Sequence, residues 1–219
     1  MPHMLGVLLI AQAIVVRRMM YGTSALFRGF LFLEFSEVRY NIGMRERIDS
    51  KLMIAIKAGS IGVLPTDTLY GLVASALDRR AIERVYRVRR RNPQKPAIIL
   101  VGSLADLKRF GVYPTVRTLA LLKRLWPGPV SVVLPCPLKK FTYLHRGTKK
   151  LAFRLPRPFW LRRLVKRTGP LIAPSANPEG KPPAATIHEA RAYFKNAVDF
   201  YVDHGRLCRA PSSVIQVLR

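Results

Sequence analysis

The side chains best suited to chemistry fall in short segments that each border an apolar run. Pro65-Thr66-Asp67-Thr68-Leu69-Tyr70-Gly71-Leu72 follows residues 61–64, a run short enough for a buried strand. Pro65 cannot continue a sheet ladder, and two hydroxyls, a carboxylate and a phenol follow before Gly71 frees the backbone. The same residue types cap helices and make turns, so this segment alone leaves a capped strand-to-helix turn open beside a binding site. Arg87, Arg89, Arg90, Arg91 and Lys95 crowd together ahead of the apolar residues 97–101, with Pro93 and Pro96 between. Guanidinium forks suit phosphate and carboxylate oxygens, although such a run also makes an ordinary solvated helix face. Arg154 stands alone in the alternating apolar strand 151–156, where it must either reach solvent or meet an anion. In Leu171-Ile172-Ala173-Pro174-Ser175-Ala176-Asn177-Pro178-Glu179-Gly180 an apolar strand ends in groups able to hydrogen-bond phosphate oxygens or a nucleoside.

These segments need elements to hold them. Residues 45–58 place Ile48, Leu52 and Ile56 at helical spacing, and Gly59 can end that helix. A second helix over 81–91 turns Ile82, Val85 and Val88 inward and its basic residues outward. Residues 104–109 and 116–124 read as surface helices. Pro127-Gly128-Pro129 makes a rigid turn anchored by a buried Trp126, and Ser131 in the following strand could line the cleft but on spacing alone reads as structural. The basic helix 159–168 carries Arg162, Arg163, Lys166 and Arg167, which suit RNA attraction better than catalysis. Thr186 caps a helix to residue 195 with Glu189 at the capping-box position, and short strands end the chain. Apolar strands that end in polar motifs, interleaved with helices, describe an α/β domain with a site at strand ends.

The 219 residues are 49% apolar, enough for one sizeable core. The net charge of +26 implies a field that attracts RNA or anionic substrates, against the plainer reading of a solvated basic surface. Residues 1–43 hold four Lys/Arg and two Asp/Glu, leaving +24 for residues 44–219. In that first stretch, 4–16 is too short to span a bilayer, and Arg17-Arg18 follows it, the wrong order for a secretory signal. Arg28 and Glu34 interrupt the next apolar patch, so no stable membrane insertion is expected. A surface anchor, a disordered tail or a start site upstream of the true one remain, and Met44, which opens an amphipathic helix, favours the last. The division is therefore an extension over 1–43 and a domain over 44–219. Cys136 and Cys208 form no Cys-x-x-Cys pair and read as reduced thiols of a cytoplasmic protein. His3, His145, His188 and His204 show no zinc spacing, so no metal site is expected in the chain itself.

From Met44 onward the chain resembles the YrdC (TsaC-like) family of threonylcarbamoyl-adenylate synthases, in its single-domain form. Pro65 to Leu72 is similar to that family's Pro-Thr-(Asp/Glu)-Thr-x-Tyr-Gly-Leu segment, and Arg89 to Pro96 to its Lys-x-Arg-x-x-x-Lys-Pro, with Arg89 in place of the usual Lys. Arg154-Leu155-Pro156, Ser175-Ala176-Asn177 with Gly180, and Pro211-Ser212-Ser213-Val214 follow in family order, Ser213 replacing a Thr. The resemblance implies a twisted mixed sheet flanked by helices, with a concave basic cleft. It implies a nucleotidyltransferase that joins L-threonine, bicarbonate or CO2, and ATP into threonylcarbamoyl-AMP and pyrophosphate, with Mg2+ on the ATP. Arg91, Lys95 and Arg154 would contact phosphates and carboxylates, with Arg89 binding substrate beside them. Thr66, Thr68 and Tyr70 would position threonine and its carbamate, and Ser175, Asn177 and Ser213 the adenylate. Asp67 would orient the site or assist the metal. A transferase partner would then modify adenosine in tRNA. No Walker-type loop is present, so ATP would need this different cradle. Two other readings stay open: a non-catalytic double-stranded RNA or tRNA binder using the same basic cleft, and the carbamoyl-adenylate chemistry of hydrogenase-maturation proteins, which the missing accessory domains disfavour.

Overall fold

A computed structural model describes residues 45–207 and 209–217. The extension over 1–43 and Cys208 lie outside the described residues. Helix α1 (Arg45–Lys57) ends near Gly59, whose φ of 87° is left-handed, and leads into β1 (Gly62–Pro65). The chain then returns as β2 (Tyr70–Ser75), antiparallel to β1, with Pro65 closing the ladder opposite Tyr70. The first polar segment is therefore the turn of a β-hairpin, and the strand-to-helix turn is ruled out.

Asp78 caps α2 (Arg79–Arg89) by accepting from the Arg80 and Ala81 N–H groups. After β3 (Ile98–Leu100) comes a 3-10 helix, Leu104–Phe110, where the sequence suggests an ordinary surface helix. The remaining α-helices and strands are α3 (Val116–Leu125), β4 (Val130–Pro135), a short α4 (Thr142–His145), β5 (Lys150–Arg154), α5 (Phe159–Thr168), β6 (Leu171–Ile172), α6 (Ile187–Phe194), β7 (Phe200–Tyr201) and β8 (Ser213–Gln216), with 3-10 turns at Lys139–Phe141 and Lys195–Ala197. Trp126 is buried as expected, and its indole N–H donates to the Val130 carbonyl at 2.7 Å.

Among the described residues the strands form one mixed sheet in the order β7-β1-β2-β6-β3-β5-β4-β8. Pairs β1–β7, β3–β5 and β4–β8 are parallel, and the other pairs are antiparallel. Side chains alternate across a strand, so each strand serves two layers. On one face Val63, Leu72, Ile99, Val132, Phe153 and Ile172 pack with Ile82 and Val85 of α2, with Phe110 and with Leu122 of α3. Phe110 meets the Phe153 ring edge-on at 5.1 Å between centroids. The alternate residues Leu64, Val73, Leu100 and Leu171 are buried on the opposite face, the side of Leu52 and Ile56 of α1 and of Leu161, Leu164 and Val165 of α5. Farther along that second face Ile98, Val133 and Ala152 line a cavity.

Candidate active site

Backbone hydrogen bonds fasten two of the polar segments side by side. Leu72 donates to the Pro174 carbonyl at 2.9 Å, Ala176 donates to the Tyr70 carbonyl at 2.8 Å, and Gly71 bridges Ser175. A Cβ on Gly71 would lie 3.1 Å from the Thr66 methyl, a tight approach, and 3.5 Å from the Pro174 carbonyl oxygen, an ordinary contact. The basic segment joins them: Glu179 donates its N–H to the Arg89 carbonyl at 2.8 Å, and its carboxylate accepts from Asn92 N–H and from Lys95 Nζ at 2.8 Å. Those two contacts, the lysine's first, hold the Glu179 carboxyl well down, to about 2.

Arg89 is the last residue of α2 and is buried. Arg90 follows in a left-handed conformation, φ 50°, which turns the chain out of the helix. The Arg89 guanidinium donates from Nε to the Asn177 carbonyl at 2.8 Å, and from Nη2 to Ser175 Oγ and Asn177 Oδ1 at 3.3 Å each. Among the described residues its Nη1 has no hydrogen-bond partner. Burial first, and then the Arg91 charge, lower its pKa to about 10, so it remains a cation at neutral pH. Arg89, Arg91, Lys150, Thr148 and Ser175 line a cavity of about 460 Å³ over Ile98, Ala152, Val133 and Val214.

Two residues along β5 from Ala152, and so on the same face, stands Arg154. Its side chain is only 3% exposed, and that of its partner Asp67 only 2%. Nη2 lies 3.4 Å from Asp67 Oδ1, within ion-pair reach but too poorly aligned for a hydrogen bond, and Nη1 reaches Thr68 Oγ1 at 3.4 Å. Arg154 Nε has no hydrogen-bond partner among the described residues. Burial lowers this guanidinium's pKa and the Asp67 carboxylate opposes the shift. Asp67 is also gripped by the Arg157 N–H at Oδ2, 3.2 Å, and by Arg209 at its carbonyl, 3.3 Å.

The structure brings Arg89, Arg91 and Ser175 to one cavity and Thr68 to Arg154. Of the other residues singled out from the sequence, Thr66, Tyr70 and Asn177 bond inward, whereas Lys95 and Ser213 are exposed. Thr66 Oγ1 donates to the Leu69 carbonyl at 2.6 Å and accepts from the Thr68 and Leu69 N–H groups, an internal turn bond. Tyr70 is fully buried, its hydroxyl set among Asp203 Oδ1 at 3.1 Å, the Gly205 carbonyl at 2.8 Å and the His204 N–H at 2.9 Å. Asn177 uses its amide on the Pro178 and Lys181 carbonyls. Lys95 is 60% exposed and tied to Glu179, outside the cavity lining. Ser213 is exposed, and alternation puts it on the face opposite Val214; the serine that meets Ser131 Oγ, at 3.2 Å, is Ser212. Ser131, which reads as structural from the sequence, is thus buried beside the last strand's turn. Lys150 and Thr148 carry no motif that would have marked them. Asp67 was marked, but the partner that defines it lies 87 residues away, beyond what spacing can reveal.

The Sua5_yciO_yrdC family model, described as telomere recombination, matches residues 54–219. The chain belongs to that family. It is 33% identical over 169 residues to the threonylcarbamoyl-AMP synthase of Pyrococcus abyssi, covering 75% of this chain and 50% of that protein. It is also 33% identical over 170 residues to the Marinobacter nauticus protein of the same name, covering 74% and 87%. The chain thus spans about half the length of the P. abyssi relative and most of the M. nauticus one. Among solved structures, P. abyssi Sua5 complexed with L-threonine superposes with a TM-score of 0.71 at 31% identity, over 77% of this chain and 51% of that one. E. coli YciO, at 22% identity and a TM-score of 0.71 over 80% and 85%, shares the fold.

Proposed function

We propose that this chain is an L-threonylcarbamoyladenylate synthase, a nucleotidyltransferase that supplies the threonylcarbamoyl group for adenosine modification in tRNA. The observation that carries the reading is the pair of buried, under-bonded guanidiniums, Arg89 and Arg154, on the cavity side of the sheet. A buried cation with a bare N–H is costly unless an anion completes it, so these residues suit ligands that bring carboxylate and phosphate. The names of the P. abyssi and M. nauticus relatives, and the threonine in the P. abyssi complex, support the substrate choice.

In this reaction the threonine nitrogen attacks carbon dioxide, loses a proton and becomes a carbamate. A carbamate oxygen then attacks the α-phosphorus of ATP, and the bond to the bridging oxygen breaks with its electron pair leaving on pyrophosphate. No covalent enzyme nucleophile is needed. The chain's part is to hold anions together and offset the charge on the leaving group. Arg91, with Arg89 beside it, would take the phosphates, Arg154 with Thr68 a carboxylate, and Ser175 the adenylate; Lys95 would join by leaving Glu179. Among the described residues no three His, Cys, Asp or Glu side chains gather as metal ligands, and Asp67 is engaged by Arg154. A magnesium ion would be carried by the triphosphate's own oxygens, where it would neutralise the leaving group. The net charge of +26 supports attraction of tRNA to a basic cleft. No described helix is long and apolar enough to cross a membrane.

The test is pyrophosphate release from ATP, magnesium and bicarbonate, with and without L-threonine. Release that needs both bicarbonate and threonine is the expected result. Release indifferent to threonine would favour the hydrogenase-type chemistry, and none from folded protein that binds RNA tightly would favour a binding protein.

A further inference from the structure

A second cavity, of about 560 Å³, opens elsewhere on the molecule and shares no lining residue with the first. Arg79 at the start of α2, Lys139 and Lys140 before α4, and Arg146 at its end all line it, together with the single carboxylate of Glu83. Four cations against one anion leave an excess of three positive charges around one concavity.

Arg146 is the built part of this site. Its backbone is left-handed, φ 50°, an uncommon conformation for a side-chain-bearing residue that persists where the surroundings enforce it. The guanidinium lies 4.0 Å from the Tyr86 ring centroid, and Nη1 pairs with Glu83 at 3.0 Å. Its side chain is 13% exposed, and its buried Nε and Nη2 find no hydrogen-bond partner among the described residues. Both nitrogens lie beneath the surface, so an anion reaches them as the guanidinium turns toward the cavity; with the two exposed lysines they then make the donor set that phosphate oxygens match.

We propose that this cavity is a second anion site, one that takes a small oligophosphate of the pyrophosphate class. Charge decides the class: a phosphodiester in a polynucleotide carries one negative charge per phosphate, whereas a pyrophosphate brings several into one concavity holding an excess of three cations. The site also touches the segment that serves the first cavity. Pro93 and Gln94 line the second cavity while Arg91 lines the first, and Tyr86, under Arg146, donates its hydroxyl to the Lys95 carbonyl at 2.8 Å. An anion bound there rests against the turn that carries Arg91.

Inorganic pyrophosphate titrated into the full chain, followed by backbone amide NMR shifts, tests this because the two cavities report separately. Gln94, Thr142 and Tyr143 report on the second cavity, and Ala152, Ser175 and Val214 on the first. The expected result is a saturable shift at the first group whose apparent Kd rises at least about tenfold in the Lys139→Ala/Lys140→Ala variant, with the second group's response unchanged. Both lysines are exposed, so the fold should survive their removal. No saturable shift at Gln94, Thr142 and Tyr143, or one that the double variant leaves unaltered, would overturn the site. Saturation of those amides by an oligoribonucleotide at lower concentration than by pyrophosphate would overturn its assignment to a small anion.

Discussion

The hairpin turn at Thr66–Leu69 and the helix end at Arg89–Arg91 are both dense in polar side chains, yet they treat them in opposite ways. In the turn, Thr66 bonds back to its own backbone, and Tyr70 just beyond it bonds the Asp203–Gly205 loop. At the helix end, Arg89 reaches across to Ser175 and Asn177 and still keeps one buried nitrogen bare. Arg154 belongs with Arg89, since Asp67 and Thr68 contact it loosely and leave Nε without a partner. Polar residues in a motif thus divide into those that complete the scaffold and those that keep a buried donor unbonded. Hydrogen-bond satisfaction separates the two groups where residue type does not.

The largest effect should come from the buried pair. Arg154→Ala leaves the buried Asp67 carboxylate without its counter-charge, with only the Arg157 N–H bonded to it, and should destabilise the fold by about 3–5 kcal/mol while abolishing pyrophosphate release. Asp67→Asn combined with Arg154→Met should restore most of the stability in a thermal melt without restoring activity. Next in size, Arg91→Ala should lower the rate of pyrophosphate release by about 10²–10³-fold with little change in melting temperature, because Arg91 is a partly exposed side chain at the cavity.

A scaffold residue should behave the other way. Tyr70→Phe strips a fully buried hydroxyl from three partners and should cost about 1–3 kcal/mol of stability, with activity lost only in step with folded protein. The smallest effect concerns the clip between the two loops. Glu179 has its carboxyl held at about 2 against an ordinary 4.5, so its contribution is present above the ordinary value and fades as pH falls toward the lower one. Glu179→Gln should remove that part of the acid dependence in unfolding midpoints measured across this range, and the shift should be slight because the group is partly exposed and screened by solvent.

Much of this was legible in the chain. The apolar periods placed α1, α2, α5 and most strands, and the Thr186 cap formed, although Glu189 returns its carboxylate to the Ala185 N–H in place of the Thr186 N–H of a full capping box. What escaped depends on register and on distant partners. Whether Ser212 or Ser213 meets Ser131 is decided by how β8 pairs with β4, and a one-residue slip would exchange them. The spacing of the arginines could not tell that Arg90 would turn left-handed and leave Arg89 inside. The hairpin at Pro65–Tyr70 was hidden because its turn residues serve equally well before a helix.

The central claim, that the under-bonded arginines are completed by the substrates' anionic groups, is tested most directly by calorimetric binding of L-threonine to the wild-type chain and to the Asp67→Asn/Arg154→Met variant. Saturable binding to the wild type, absent from a variant that melts as a folded protein, is the predicted result. Equal binding to both would contradict the account, because Arg154 would then belong with Tyr70 and Thr66 as scaffold.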